Sequence, residues 1–204
     1  MKIQNKLPDY NQSLHTELLK DKWIPLKEPR SLTSAILFSV PFMIVNTLIS
    51  VGLIKVINDI SFSEFGWSAG SFSFTINLYV ILGLLFLVIF HELLHLVFIP
   101  NFLRSNKTYI GLTLFGGFVV SEEEISRARY IVITITPFII ISVLLPLVLG
   151  ALGLLTPLLK FLIVLNAMSS SVDLLNLLLI LKQVPRNASL INNGHKTYWK
   201  QLTS

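Results

Sequence analysis

The chain has 204 residues, of which 53% are hydrophobic and only 13% charged, and its mean hydropathy is +0.72. That leaves too little polar surface to coat a water-soluble globule, so the composition places the chain in a bilayer. The absence of cysteine excludes a disulfide framework and a thiolate metal site, and the net charge of +5 fits basic residues flanking membrane spans, with no nucleic-acid signature.

Residues 1–31 mix charges with Pro8, Pro25 and Pro29 and lack the apolar core of a cleavable signal peptide. They are expected to form a cytosolic arm in which His15 is solvated and Trp23 and Ile24 lie against lipid headgroups. Residues 32–54 carry no charge and make a helix about 35 Å long, enough for a first span, with a kink expected at Pro41. A short polar connection, 55–73, leads to a second span over residues 74–99, stopped by Pro100. The polar interval 101–129 contains a β-prone segment, Tyr109 to Val120, around Gly111, Gly116 and Gly117. This segment suits a hairpin, a re-entrant strand or an ordinary loop with a glycine turn. Glu122, Glu123 and Glu124 are expected to be solvated. The third span, 130–149, holds Pro137 and Pro146, and the fourth, 157–181, has Lys160 near its start, where it could snorkel to the interface. Residues 182–204 form a polar tail in which His195 is expected to be solvated. The predicted fold is thus an all-α membrane protein with four transmembrane helices and at most a short β-hairpin in the central cytosolic loop. Its expected parts are the arm 1–31, the membrane domain 32–181 and the tail 182–204.

Lys and Arg number six in the arm, four in the interval after the second span and four in the tail, against Lys55 and Lys160 on the opposite side. The positive-inside rule therefore puts both termini and the central loop in the cytosol.

Near the cytosolic end of the second span lies His91-Glu92-Leu93-Leu94-His95. Four residues of helix bring His91 and His95 onto one face, so both imidazoles can reach one metal ion, and Glu92 is placed beside water activated there. A solvated helix could carry the same residues by chance, but this motif is embedded in aliphatic sequence, where an ionisable group needs a partner. A catalytic zinc usually has three protein ligands. Of the acidic residues only Glu92 and Asp173 fall inside a span. His91 lies eight residues before Ile99 and Asp173 eight before Leu181, which sets both about 12 Å from the cytosolic boundary. Asn166, Ser169 and Ser170 share a polar stripe with Asp173. That stripe is either a helix-packing seam or part of the site, with Asn166 supporting a ligand or orienting substrate.

Four spans, the motif ending the second of them, and the Asn166 to Asp173 segment in the last resemble the bacterial family of multi-pass membrane proteins labelled putative zincin peptidases. More distantly the chain is similar to the site-2 intramembrane metalloproteases, from which it departs at Leu174, where those enzymes have glycine, and in having Ser169 and Ser170 where they have proline. The resemblance implies proteolysis of a membrane-embedded or membrane-adjacent protein, with His91, His95 and Asp173 as Zn2+ ligands and Glu92 as base. Two other readings stand beside it. One is a non-catalytic membrane protein with a structural or regulatory metal site. The other is a small metal-ion carrier, against which the lack of an internal repeat argues. Beyond a membrane protein or peptide substrate and the lipid bilayer, the residues point to no partner and do not fix an oligomeric state.

Overall fold

The computed structural model describes residues 1–68, 70–73, 75–113 and 116–202. In chain order the elements are β1 (Lys2–Ile3), α1 (Gln12–Lys20), β2 (Ile24–Pro25), α2 (Leu32–Ile57), a 3-10 turn (Phe62–Phe65), β3 (Trp67–Ser68), β4 (Ser71–Phe72) and α3 (Leu78–Val97). There follow β5 (Thr108–Thr113), β6 (Gly116–Ser121), β7 (Ile125–Ser126), α4 (Arg127–Pro137), a π-helical stretch (Phe138–Leu144) and α5 (Leu145–Ala151). The chain closes with α6 (Pro157–Ser169), α7 (Ser171–Gln183), β8 (Ala188–Asn193) and β9 (Lys196–Gln201).

Among the described residues four helices are long and apolar enough to cross a membrane: Leu32–Ile57, Leu78–Val97, Arg127–Ala151 and Pro157–Gln183. Three of them start at a side chain that caps the first free amides, while Ser126 ahead of the third makes no such bond. Ser31 and Ser34 form a reciprocal capping box ahead of α2, Asn77 accepts from the Val80 amide at 3.1 Å ahead of α3, and Thr156 with Pro157 opens α6. Phe74, where the second span was expected to begin, lies outside the described residues. The α2 helix runs through Pro41 as one element. In the third span the π-helical stretch lies between Pro137 and Pro146, each of which removes an amide donor from the ladder. The fourth span is interrupted at Ser170.

The four long helices are held by small and polar side chains as well as by apolar contact, a pattern that fits helices packed within a bilayer. Asn46 Nδ2 of α2 donates to the Ala167 carbonyl at 3.1 Å, Ser171 meets Ser39 at 3.2 Å, and Ser142 donates to the Ile163 carbonyl at 3.1 Å. Apolar clusters around Ile54, Leu155 and Ile163 and around Leu87, Ile141 and Leu162 complete the seams.

The all-α expectation is corrected by three sheets among the described residues, in the orders β1-β5-β6, β2-β9-β8-β7 and β3-β4. The 109–120 segment is a β-ladder: β5 and β6 pair antiparallel from Thr108↔Ser121 to Thr113↔Gly116, and the connecting residues 114 and 115 lie outside the described residues. The chain's first strand covers β5 in parallel, which leaves β6 as an edge.

The tail is likewise no loose extension. Its β8-β9 hairpin pairs with β2 of the arm and with β7. Trp23 is consequently not at headgroups but buried with Leu18 and Tyr198, while Ile24 stays half-exposed. Nor is His15 merely solvated: its Nδ1 lies 2.8 Å from the Tyr198 hydroxyl. His195 is exposed at the β8-β9 turn. Glu28 ties arm to tail by accepting from the Thr197 hydroxyl at 2.7 Å and its amide at 3.1 Å. Burial pushes the Glu28 carboxyl above its ordinary range against the pull of those bonds. Of the acidic run only Glu124 is exposed, and Glu123 accepts from Ser105 Oγ at 2.7 Å.

Lys160 does not snorkel. It is 3% exposed, bonds the Asp59 carbonyl and meets the Glu64 carboxylate at 2.8 Å, so a cation on α6 fastens the α2-α3 connection. Lys160→Met keeps the stem but strands Glu64. It is expected to cost about 2 kcal/mol, read as a lower denaturation midpoint with faster proteolysis confined to residues 58–73.

Candidate metal centre

The helix α3 brings His91 and His95 onto one face, with ring centroids 5.0 Å apart in edge-on arrangement. Each ring is fixed through its Nδ1. His95 Nδ1 lies 2.7 Å from the Ile133 carbonyl of α4, which can only accept, so Nδ1 carries the hydrogen. His91 Nδ1 lies 2.8 Å from Asn166 Oδ1. The Asn166 amide nitrogen is already donating to the Pro137 carbonyl at 3.2 Å and to Ser142 Oγ at 2.9 Å, so the oxygen is the group facing the ring and His91 Nδ1 donates too. This tautomer assignment follows from the bond network, and it leaves both Nε2 lone pairs on the same side.

That side faces Asp173. The interruption at Ser170 puts Asp173 in the first turn of α7, and its Oδ2 lies 3.3 Å from His91 Nε2 while Oδ1 lies 3.6 Å from His95 Nε2. One ligand atom from each of the three residues falls within 4.8 Å of the others. Tetrahedral ligands at zinc distances stand about 3.3 Å apart, so two imidazole nitrogens and a carboxylate oxygen in this arrangement fit a single divalent ion. His91 and Asp173, each eight residues from the expected cytosolic end of its span, thus lie side by side.

Glu92 is 9% exposed and sits against β6. A Cβ at Gly117 would collide with the Glu92 side chain, so a glycine there is what lets the strand pass. Among the described residues the Glu92 carboxylate has no hydrogen-bond partner. It shares with the His91, His95 and Asp173 group a cavity of about 520 Å³. The far end of that cavity is aliphatic, lined by Leu84, Leu87, Val88 and Leu165. Leu84 lies seven residues before His91, so the cavity reaches about 10 Å further along the span.

Asn166 is fully buried and its amide is taken up by His91, Pro137 and Ser142. It thus supports the ring of His91 and has no group left over for a substrate. The sequence reading missed the Ile133 carbonyl, which no side chain announces. It also missed Ser142, though this is the single polar residue between Phe138 and Leu149. Gly117 stands out in the sequence as a glycine in a β-prone segment, but nothing local pairs it with Glu92. Tyr130 and Asn192 both line the cavity, and the Tyr130 hydroxyl donates to Asn192 Oδ1 at 3.2 Å. Asn176, three residues beyond Asp173, also lines the cavity and extends the polar stripe by one turn.

No curated protein and no solved structure matches the chain. The model of a family described as "Putative zincin peptidase" matches residues 84–189, just over half of the chain, a stretch that holds the His-Glu-x-x-His motif and Asp173 together. With that match added to the geometry, the chain belongs to the putative zincin peptidase family.

Proposed function

We propose that this chain is an integral-membrane zinc endopeptidase that hydrolyses peptide bonds of membrane-embedded or membrane-adjacent proteins. In this reading His91, His95 and Asp173 hold the metal, Glu92 is the base, and both termini lie in the cytosol. The observation that carries it is the convergence of two Nε2 atoms and a carboxylate on one point beside an unpartnered Glu92.

Zinc, when bound, supplies Lewis acidity that polarises the scissile carbonyl. The rest is done by the chain. Asn166 and the Ile133 carbonyl hold the imidazoles in orientation. Glu92 takes a proton from water at a carboxylate oxygen and passes it to the departing amine. The edge strand β6 offers unpaired backbone groups on which a peptide can be laid out in extended form, which exposes its amide bond. The excess of Lys and Arg in the arm, the central interval and the tail supports the cytosolic placement of both ends.

The test is the full chain reconstituted with zinc in vesicles and given a fluorogenic apolar peptide that partitions into the bilayer. Cleavage is expected to stop on chelation and return with zinc, with no zinc entering the vesicle. Uptake without cleavage makes the chain a carrier. Tightly held zinc without cleavage of membrane or soluble peptides makes the site structural or regulatory.

A further inference from the structure

Most of the polar side chains that line the cavity have hydrogen-bond partners. Ser169 donates to the Asn166 carbonyl at 3.0 Å, Thr134 to the Tyr130 carbonyl at 2.8 Å, and Ser121 Oγ is 3.1 Å from Thr108 Oγ1. Asn192 accepts from Tyr130 and donates to the Ser121 carbonyl at 3.1 Å. Asn166 is saturated, as described above. Asn176 differs: it lines the cavity one turn beyond Asp173, and among the described residues its carboxamide makes no hydrogen bond. Its neighbours from Leu174 to Leu181 are otherwise all aliphatic. Asn176 is only half-buried and lines the cavity, so its donors and acceptor are accessible to a molecule that enters there.

A carboxamide presents one acceptor and two donors side by side, the complement of a peptide group. A peptide laid along β6 turns every second residue's N–H and C=O away from that strand, and β6 packs on α3 while α7 packs on α4 and α2, so the cavity lies between β6 and Asn176. We propose that the Asn176 carboxamide binds the main chain of an extended apolar peptide on the side away from β6, with an aliphatic or aromatic side chain of that peptide entering the Leu84, Leu87, Val88 and Leu165 end. The peptide bond presented to His91, His95 and Asp173 is thereby selected. This rests on the endopeptidase reading above.

The probes are acetohydroxamate, which needs only the metal, and a Leu-Leu-Leu peptide hydroxamate, which needs the metal and the peptide site. Both are titrated into zinc-loaded full chain in nanodiscs, with zinc content measured on the same samples. Asn176→Ala and the near-isosteric Asn176→Leu are expected to bind the tripeptide hydroxamate about tenfold more weakly, which is the worth of one to two hydrogen bonds. Zinc content and acetohydroxamate affinity should stay at the wild-type level. Wild-type affinity for the tripeptide hydroxamate in both variants overturns the role of Asn176 and leaves the metallopeptidase reading standing. A wild-type protein that holds no zinc overturns that reading and this proposal with it.

Discussion

Glu92→Gln is expected to retain its zinc and to lose about a thousandfold in cleavage rate, within the range that positioned proton transfer contributes. Glutamine has the size and shape of the residue it replaces, so it fits beneath Gly117 where a bulkier side chain would collide. None of the three residues converging on the metal position is altered, and both histidine rings keep their Nδ1 partners on other helices. The substitution removes only the capacity to take a proton from water, because an amide is not a base at neutral pH. Zinc analysis and cleavage measured on the same preparation separate the two effects. Cleavage at the wild-type rate would remove Glu92 from the chemistry. Loss of zinc along with cleavage would mean that Glu92 holds the metal, or helps to order the residues that do.

The parts of this site that could be read from the sequence are those where cost forces a choice. His91 and His95 are four residues apart on a helix, and an ionisable group within a span must find a partner, so Asp173 could be matched to them by depth alone. The supporting groups follow different rules. The Ile133 carbonyl is free to accept from His95 because of how α4 lies against α3, and a backbone group carries no residue signature. Asn166 could be singled out as polar, but whether it served His91 or a substrate depended on Pro137 and Ser142 consuming its amide nitrogen. The sheet joining arm and tail was illegible for another reason. Its β2 strand is only Ile24–Pro25, and it pairs with Tyr198 and Trp199 far along the chain, so no local periodicity marks it. A signal did exist at Asn193-Gly194-His195, where Gly194 takes a positive φ of 58° between two strands, since an Asn-Gly pair flanked by β-prone residues is a hairpin mark. Lys160 reads as an interfacial residue from sequence because its Glu64 partner lies in a connection with too little regular structure to place.

Asp173→Ala is expected to leave the purified protein without zinc, and its comparison with Asn166→Leu distinguishes a metal ligand from a residue that props one up. Asp173 contributes the single anionic group among the three convergent residues. Without it two neutral imidazoles remain, so affinity should fall further than the ten- to hundredfold typical when a partner of a ligand is removed. Asn166→Leu deletes such a partner. It frees the His91 ring to rotate and is expected to lower zinc affinity by about ten- to a hundredfold. It also takes one hydrogen bond each from the Pro137 carbonyl and from Ser142 Oγ, which keeps its bond to the Ile163 carbonyl, in a buried seam, at about 0.5–1.5 kcal/mol for each bond lost. Asp173 lies beside the two Nε2 atoms and lines a cavity, so its removal should cost the metal-free fold less. The two variants should therefore rank oppositely: Asp173→Ala weaker in metal binding, Asn166→Leu weaker in metal-free stability. Chelator competition and denaturation of the metal-free proteins give the two orders. Equal loss of zinc in both would reduce Asp173 to a hydrogen-bond partner of the histidines and leave the metal with two protein ligands, too few for the catalysis proposed.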